Sequence, residues 1–106
     1  MVGMYEGYIY AIRVVNGEYV GASTIPWEKK IKQHQRHAYR SSVARRARQL
    51  IDVAIFEANK GGEEESYTIL ERTVAPSPEE LRERLRAMKA EHVYDRRPRY
   101  NQRIRV

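Results

Sequence analysis

The sequence predicts an α/β fold of the mixed α+β kind: a small three-stranded antiparallel sheet flanked by helices, in the order β-β-α-α-β-α. Three observations point there. Two alternating apolar-aromatic stretches flank an Asn-Gly pair, the signature of a β-hairpin. Two helical patterns follow, one very basic and one with an apolar stripe. A third alternating stretch is then followed by a strongly capped helix. With 106 residues, the chain has the length of one domain with a modest core. The expected organisation is a single domain over 1–106 whose end, from about residue 96, is a basic tail.

Each element has a local reason. From Tyr8 to Val14, side chains alternate: Tyr8, Tyr10, Ile12 and Val14 share one face, Ile9, Ala11 and Arg13 the other. After the Asn16-Gly17 turn, Tyr19 to Ala22 returns as the second strand, and Gly21 permits close backbone approach or a bend. Ser23 or Thr24 is a cap and Pro26 fits a first helical turn, so a short basic helix is expected from Trp27 to about His37. Ser41 or Ser42 is expected to cap a second helix, with Val43, Ala47, Leu50, Ile51, Ala54, Ile55 and Ala58 as its buried stripe and Gly61-Gly62 as its stop. Ser66 to Val74 alternates again, placing Tyr67, Ile69 and Glu71 on one face and Thr68, Leu70 and Arg72 on the other. Ser77-Pro78-Glu79-Glu80 is a cap, a proline in the first turn and two acids near the helix N-terminus. That helix is expected to reach about Tyr94, with Pro98 limiting it.

Composition narrows the function classes. There is no cysteine, so a disulfide framework and a thiolate zinc site are excluded. The first twelve residues carry no cationic leader, no run reaches the ~18 apolar residues of a membrane span, and cytoplasm is the expected location. The formal charge is +6, and it is unevenly placed. Residues 26–48 hold eight Lys or Arg against Glu28 alone, and residues 96–105 hold five Arg against no acid. Like-signed blocks of this kind suit phosphate-facing surfaces, so DNA is the expected partner. Lys29, Lys32, Arg36, Arg40, Arg45, Arg96, Arg97, Arg99 and Arg103 are the expected backbone contacts. No membrane and no nucleotide cofactor is implied: Gly61-Gly62 lacks the Lys-Ser/Thr of a phosphate loop.

The chemistry-bearing residues are two hairpin phenols, Lys30 and His34 four residues apart on one helix, Glu91, and Asn101. A phosphodiesterase needs an aligned water, charge stabilisation at phosphorus and protonation of the leaving oxygen. Bland readings of each residue exist: tyrosines as cross-strand pairs, His34 as a solvated residue, Glu91 as a surface partner of Arg84 or Lys89. The ordered set resembles the GIY-YIG nuclease superfamily over roughly residues 7–103. Tyr8-Ile9-Tyr10, preceded by Gly7, stands for the first tripeptide and Tyr19-Val20-Gly21 for the second. Lys30 and His34 take the places of the family's Arg and His, and Glu91 and Asn101 those of its Glu and Asn. Lys in place of Arg replaces a planar fork by a point charge on a flexible stem.

The resemblance implies a metal-dependent DNA endonuclease. Tyr10, Tyr19, Lys30, His34, Glu91 and Asn101 would be the catalytic set, with Gly21 structural in the site. Glu91 would hold one Mg2+, with Mn2+ as its substitute, retaining most of the ion's waters. Tyr10 would be the general base, its pKa lowered by Lys30 or the ion. Asn101 would brace the site or hold Glu91. Two copies would be needed on DNA for a double-strand cut, so a homodimer on DNA is one expectation. The alternative is a nucleic-acid-binding module with weak or lost cleavage.

Overall fold

The computed structural model describes residues 3–44 and 50–101, without the side chains of 40–44. Strands β1 (Tyr5–Val14) and β2 (Gly17–Ser23) form the hairpin; helices α1 (Trp27–Ala44) and α2 (Leu50–Lys60) follow; then come β3 (Ser66–Ala75), α3 (Pro78–Arg96) and a 3-10 turn, Arg99–Asn101. The sheet is antiparallel with β1 in the middle, order β2-β1-β3. The chain is thus an α+β domain whose three-stranded antiparallel sheet is flanked by helices in β-β-α-α-β-α order. Among the described residues no helix is long and apolar enough to cross a membrane.

Alternation along β1 builds two cores, one on each face of the sheet. Tyr8, Tyr10, Ile12 and Val14 pack with Ala38 of α1 and Ile51, Ile55 and Ala58 of α2. Ile9 packs with Val20, Ala75, Leu81 and Leu85, under α3. The central strand is therefore covered on both sides, and Ile9, Ile12 and Val20 are fully enclosed. Ser77 caps α3 by accepting a hydrogen bond from the Glu80 amide, with Pro78 in the first turn. At the other end Arg97 adopts the left-handed conformation, φ 48°, and its amide bonds the Val93 carbonyl.

Three expectations shift. First, α1 runs through Ser41 and Ser42 to Ala44. Neither serine starts a helix; the good helix formers before them carry α1 on, and the described part of α2 begins at Leu50. The stripe residues Val43 and Ala47 lie outside the described side chains. Second, the hairpin turn sits one residue earlier. Val14 pairs with Gly17, leaving Val15 and Asn16 in the turn. Gly17 is needed for a different reason: a Cβ there would lie 3.0 Å from Arg99 Cβ and 3.1 Å from the Tyr100 ring. Third, β3 carries a bulge. Ile9 pairs with Glu71 but Tyr10 with Ile69, so Leu70 is the extra residue. A bulge inverts the alternation beyond it. Glu71 therefore lies on the α3 face, not with Tyr67 and Ile69, and bonds His92 of α3 at 2.9 Å.

The close fit of α3 on β1 is testable. An added Cβ at Gly7 would meet Leu85 Cδ1 at 2.7 Å. Gly7→Ala is expected to destabilise by ~1–3 kcal/mol through overpacking, and Leu85→Ala by ~2–5 kcal/mol. Because each change relieves the other's defect, urea unfolding of the double variant should show a loss smaller than the sum.

Candidate active site

Alternation places Tyr10 and, through the pairing Ile12↔Tyr19 and Tyr10↔Gly21, Tyr19 and Gly21 on the same sheet face. That is the face covered by α1. Helical spacing does the rest: Trp27, Lys30 and His34 recur at three- and four-residue intervals along α1. Four of the expected residues meet here. Tyr10 Oη lies 2.7 Å from His34 Nε2. The Tyr10 and Tyr19 rings are 6.1 Å apart, and each stands about 6 Å from the imidazole, 5.6 and 5.9 Å respectively. The Lys30 ammonium lies 5.9 Å from the Tyr10 ring centroid and donates to Gln33 Oε1 at 3.0 Å.

Gly21 is the floor of this cluster. A Cβ on it would come within 2.5 Å of Tyr10 Cζ and 2.6 Å of Tyr10 Oη. Only a residue without a side chain lets the phenol lie across the neighbouring strand and reach His34. Tyr8 acts elsewhere. Its hydroxyl donates to the Ile25 carbonyl at 2.6 Å and ties β1 to the segment entering α1. Trp27 packs edge-on against Tyr8 and tilted against Tyr10, both at 5.5 Å.

Asn101 braces the site from outside. Its Oδ1 accepts from the Val20 amide and its Nδ2 donates to the Val20 carbonyl, both at 2.8 Å. Val20 lies between Tyr19 and Gly21 on an edge strand, and the Asn101 amide supplies the partner a neighbouring strand would. Of the two expected roles for Asn101, the structure has this one and not a bond to Glu91. Glu91 is exposed on α3, the helix packed on the opposite sheet face, and has no hydrogen bond or ion pair among the described residues. No group of three His, Cys, Asp or Glu among the described residues could hold a metal ion. As placed, Glu91 does not fit a metal site shared with the tyrosine cluster.

The cationic residues divide. Lys29, Lys32 and Arg36 are exposed along α1. Arg96 bonds both Glu18 oxygens at 3.1 Å, and Arg99 donates to the Asn16 carbonyl at 3.3 Å, so both dock on the hairpin. Arg97 is exposed. Arg45 and Arg103, and the Arg40 side chain, lie outside the described residues.

Burial governs the electrostatics. Tyr10 is 1% exposed and His34 4%. Desolvation first, then the neighbouring Tyr19 and Tyr8 phenols and the Asp52 carboxylate, push the Tyr10 pKa far above its ordinary value. Burial thus acts on this phenol in the direction opposite to the lowering by Lys30 or an ion that the resemblance implies. Burial likewise raises Tyr19, and Tyr67 is raised by burial with Glu65 and Asp52 adding to it. Burial lowers Lys30, against the opposing effect of Asp52. Two further residues, not among those expected from the sequence, belong to the cluster: Trp27, which the sequence marks only as a helix start, and Asp52 of α2, 0% exposed and 3.5 Å from His34 Nδ1. The sequence signal for Asp52 is a lone acid within an apolar helical stripe.

Two grooves border these elements. A cavity of about 460 Å³ adjoins the cluster through Tyr8 and Trp27 and includes Arg72. A larger one, about 1040 Å³, lies beside α3 with Arg82, Arg86 and Lys89 in its wall and Glu6 among its lining residues. No protein-family model matches the chain, and no curated protein or solved structure matches it.

The raised phenols fix the alkaline behaviour. A group whose folded pKa lies above its unfolded value stabilises fully below the unfolded pKa, here ~10 for Tyr, and loses that contribution as pH rises past it. Stability should fall above about pH 10, by up to ~1.4 kcal/mol per pH unit for each such phenol. Chemical denaturation from pH 8 to 11 should show a shallower fall in Tyr67→Phe than in the parent.

Proposed function

We propose that this chain is a DNA endonuclease of GIY-YIG type that hydrolyses phosphodiester bonds with Mg2+ or Mn2+ present. One observation carries the reading: Tyr10, Tyr19, Lys30 and His34, drawn from three separate elements, converge on one sheet face around a glycine that makes room for them. The +6 charge and the exposed cations of α1 supply a surface for the DNA backbone. In this reading Tyr19 and Lys30, both only half-buried, meet the scissile phosphate, and Lys30 offsets the charge that builds there. Tyr10 and His34 form the proton-handling pair behind them. Asn101 keeps β2, and with it Tyr19, in place. A bound ion would supply charge stabilisation at the departing oxygen. Because Glu91 stands apart from the cluster, no step is routed through the ion.

A second reading is a nucleic-acid-binding module with weak or lost cleavage. The near-complete burial of Tyr10 and His34 favours it, since neither offers a bare atom to a phosphate. In the first reading, a double-strand cut by sites that each nick one strand would need two copies on the DNA.

Incubation of the protein with supercoiled plasmid distinguishes the two. The first reading expects nicking with Mg2+, none with a chelator, and a rate ~100-fold lower or less in Tyr19→Phe and Lys30→Ala, the scale of losing one transition-state donor. Salt-dependent DNA binding with no product at any protein concentration would establish the second reading instead.

Binding to unrelated duplexes across a salt series should weaken about equally when Arg97 is changed to Ala, since phosphate contacts position without specifying. The log–log salt slope should drop by ~0.9 for that contact. Arg96→Ala should move it less, because Glu18 already holds that guanidinium.

A further inference from the structure

Asp52 is a buried acid for which the proposed reaction has so far given no role. It lies on α2 beside Ile51 and Ile55, all three fully enclosed. A carboxylate in such a place needs a partner. Among the described residues its contact is His34, Nδ1 to Oδ1 at 3.5 Å, across the α1–α2 interface. The other ring nitrogen, Nε2, is 2.7 Å from the Tyr10 hydroxyl. Three side chains from β1, α1 and α2 thus stand in line: phenol, imidazole, carboxylate.

The two ring nitrogens cannot be assigned independently. A neutral imidazole has one N–H donor and one bare acceptor, and a carboxylate only accepts. A ring whose Nδ1 faces Asp52 therefore keeps its proton on Nδ1. Its Nε2 is then bare, and the Tyr10 hydroxyl is left as the donor to it. We propose that Asp52 is a positioning residue that holds His34 in the Nδ1–H tautomer and so makes Nε2 the acceptor of the Tyr10 proton. The charged and titratable groups around the ring are consistent with this. Tyr10 and Tyr19 flank it, Asp52 closes its far side, and Lys30 stands over Tyr10.

The consequence for catalysis rests on the nuclease reading; the tautomer does not. A phenol held protonated by burial is a poor base by itself. Paired with Nε2, it can part with its proton locally: the Tyr10 O–H bond breaks, an Nε2–H bond forms, and the phenolate faces an imidazolium whose Nδ1–H points to a carboxylate. No charge leaves the cluster, and the new cation lies beside an anion.

The test is a long-range nitrogen–proton correlation spectrum of the full chain labelled with 15N, at pH 8, where the shifts of Nδ1 and Nε2 report which is protonated. The expected result is a protonated Nδ1 and a bare Nε2 in His34, with redistribution toward Nε2–H in Asp52→Asn, whose amide can donate to Nδ1. A bare Nδ1, or a doubly protonated ring, in the parent protein would overturn the proposal, and that measurement needs no folded variant. Plasmid nicking on the same samples separates the two ideas. The expected loss in Asp52→Asn is ~10–100-fold, the scale for removing a carboxylate that orients a metal-bound His. A bare Nε2 without nicking leaves the positioning role standing and removes the nuclease. Nicking with a proton on Nε2 does the reverse.

Discussion

The hydrogen bond between Tyr10 Oη and His34 Nε2 is the constraint on which the rest of the site depends. It joins the central strand to the first helix through two groups that are both almost fully buried. In such surroundings an unpaired hydroxyl or imidazole nitrogen would cost ~1–3 kcal/mol, so each group needs the other. The bond also dictates sequence elsewhere. The phenol can lie in this position only over a strand residue with no side chain, which is Gly21. The imidazole can present Nε2 only if α1 enters at the right angle, and Tyr8 fixes that entry through the Ile25 carbonyl.

The sheet then acts as a partition. Side chains of β1 that point one way meet α1 and α2 and supply the phenols; of those that point the other way, Ile9 packs under α3 in an apolar core. The bulge at Leu70 sharpens the division, because it turns Glu71 to the α3 side. No carboxylate of β3 beyond the bulge is thereby left facing the tyrosines. The acid that does reach them comes from α2, and it is Asp52.

Much of this is legible in the sequence because it follows from period. The alternation in β1 defines both faces of the sheet, and the four-residue interval between Lys30 and His34 puts them on one side of a helix. Ser77-Pro78 marks the start of α3. What is not legible needs three-dimensional context. Ser41 and Ser42 are good caps by chemistry, yet α1 continues through them, carried by the helix formers before them. The bulge at Leu70 leaves no mark in an otherwise regular alternation, so the alternation points Glu71 to the wrong face. Glu91 is matched by order along the chain, and order does not say which face of the sheet a helix will cover. Asp52 looks like an interruption in an apolar stripe; only the meeting of α1 and α2 gives it a partner. The direction of the Tyr10 shift escapes the sequence because a nearby cation is visible there and burial is not.

The Asn101 amide that bridges Val20 reaches across 81 residues of chain. The strand pairing beside it is of the same kind: Tyr10 meets Ile69, and neither partner is local. Without β3 the central strand would lack its second neighbour, and without the 3-10 turn β2 would lack the Asn101 bridge to Val20. Closing such long loops costs chain entropy before the contacts return it. The hairpin that carries both phenols is closed by a local turn, yet the partners that cover its two edges come from the far end of the chain, so the geometry of the tyrosine cluster draws on nearly the whole described chain.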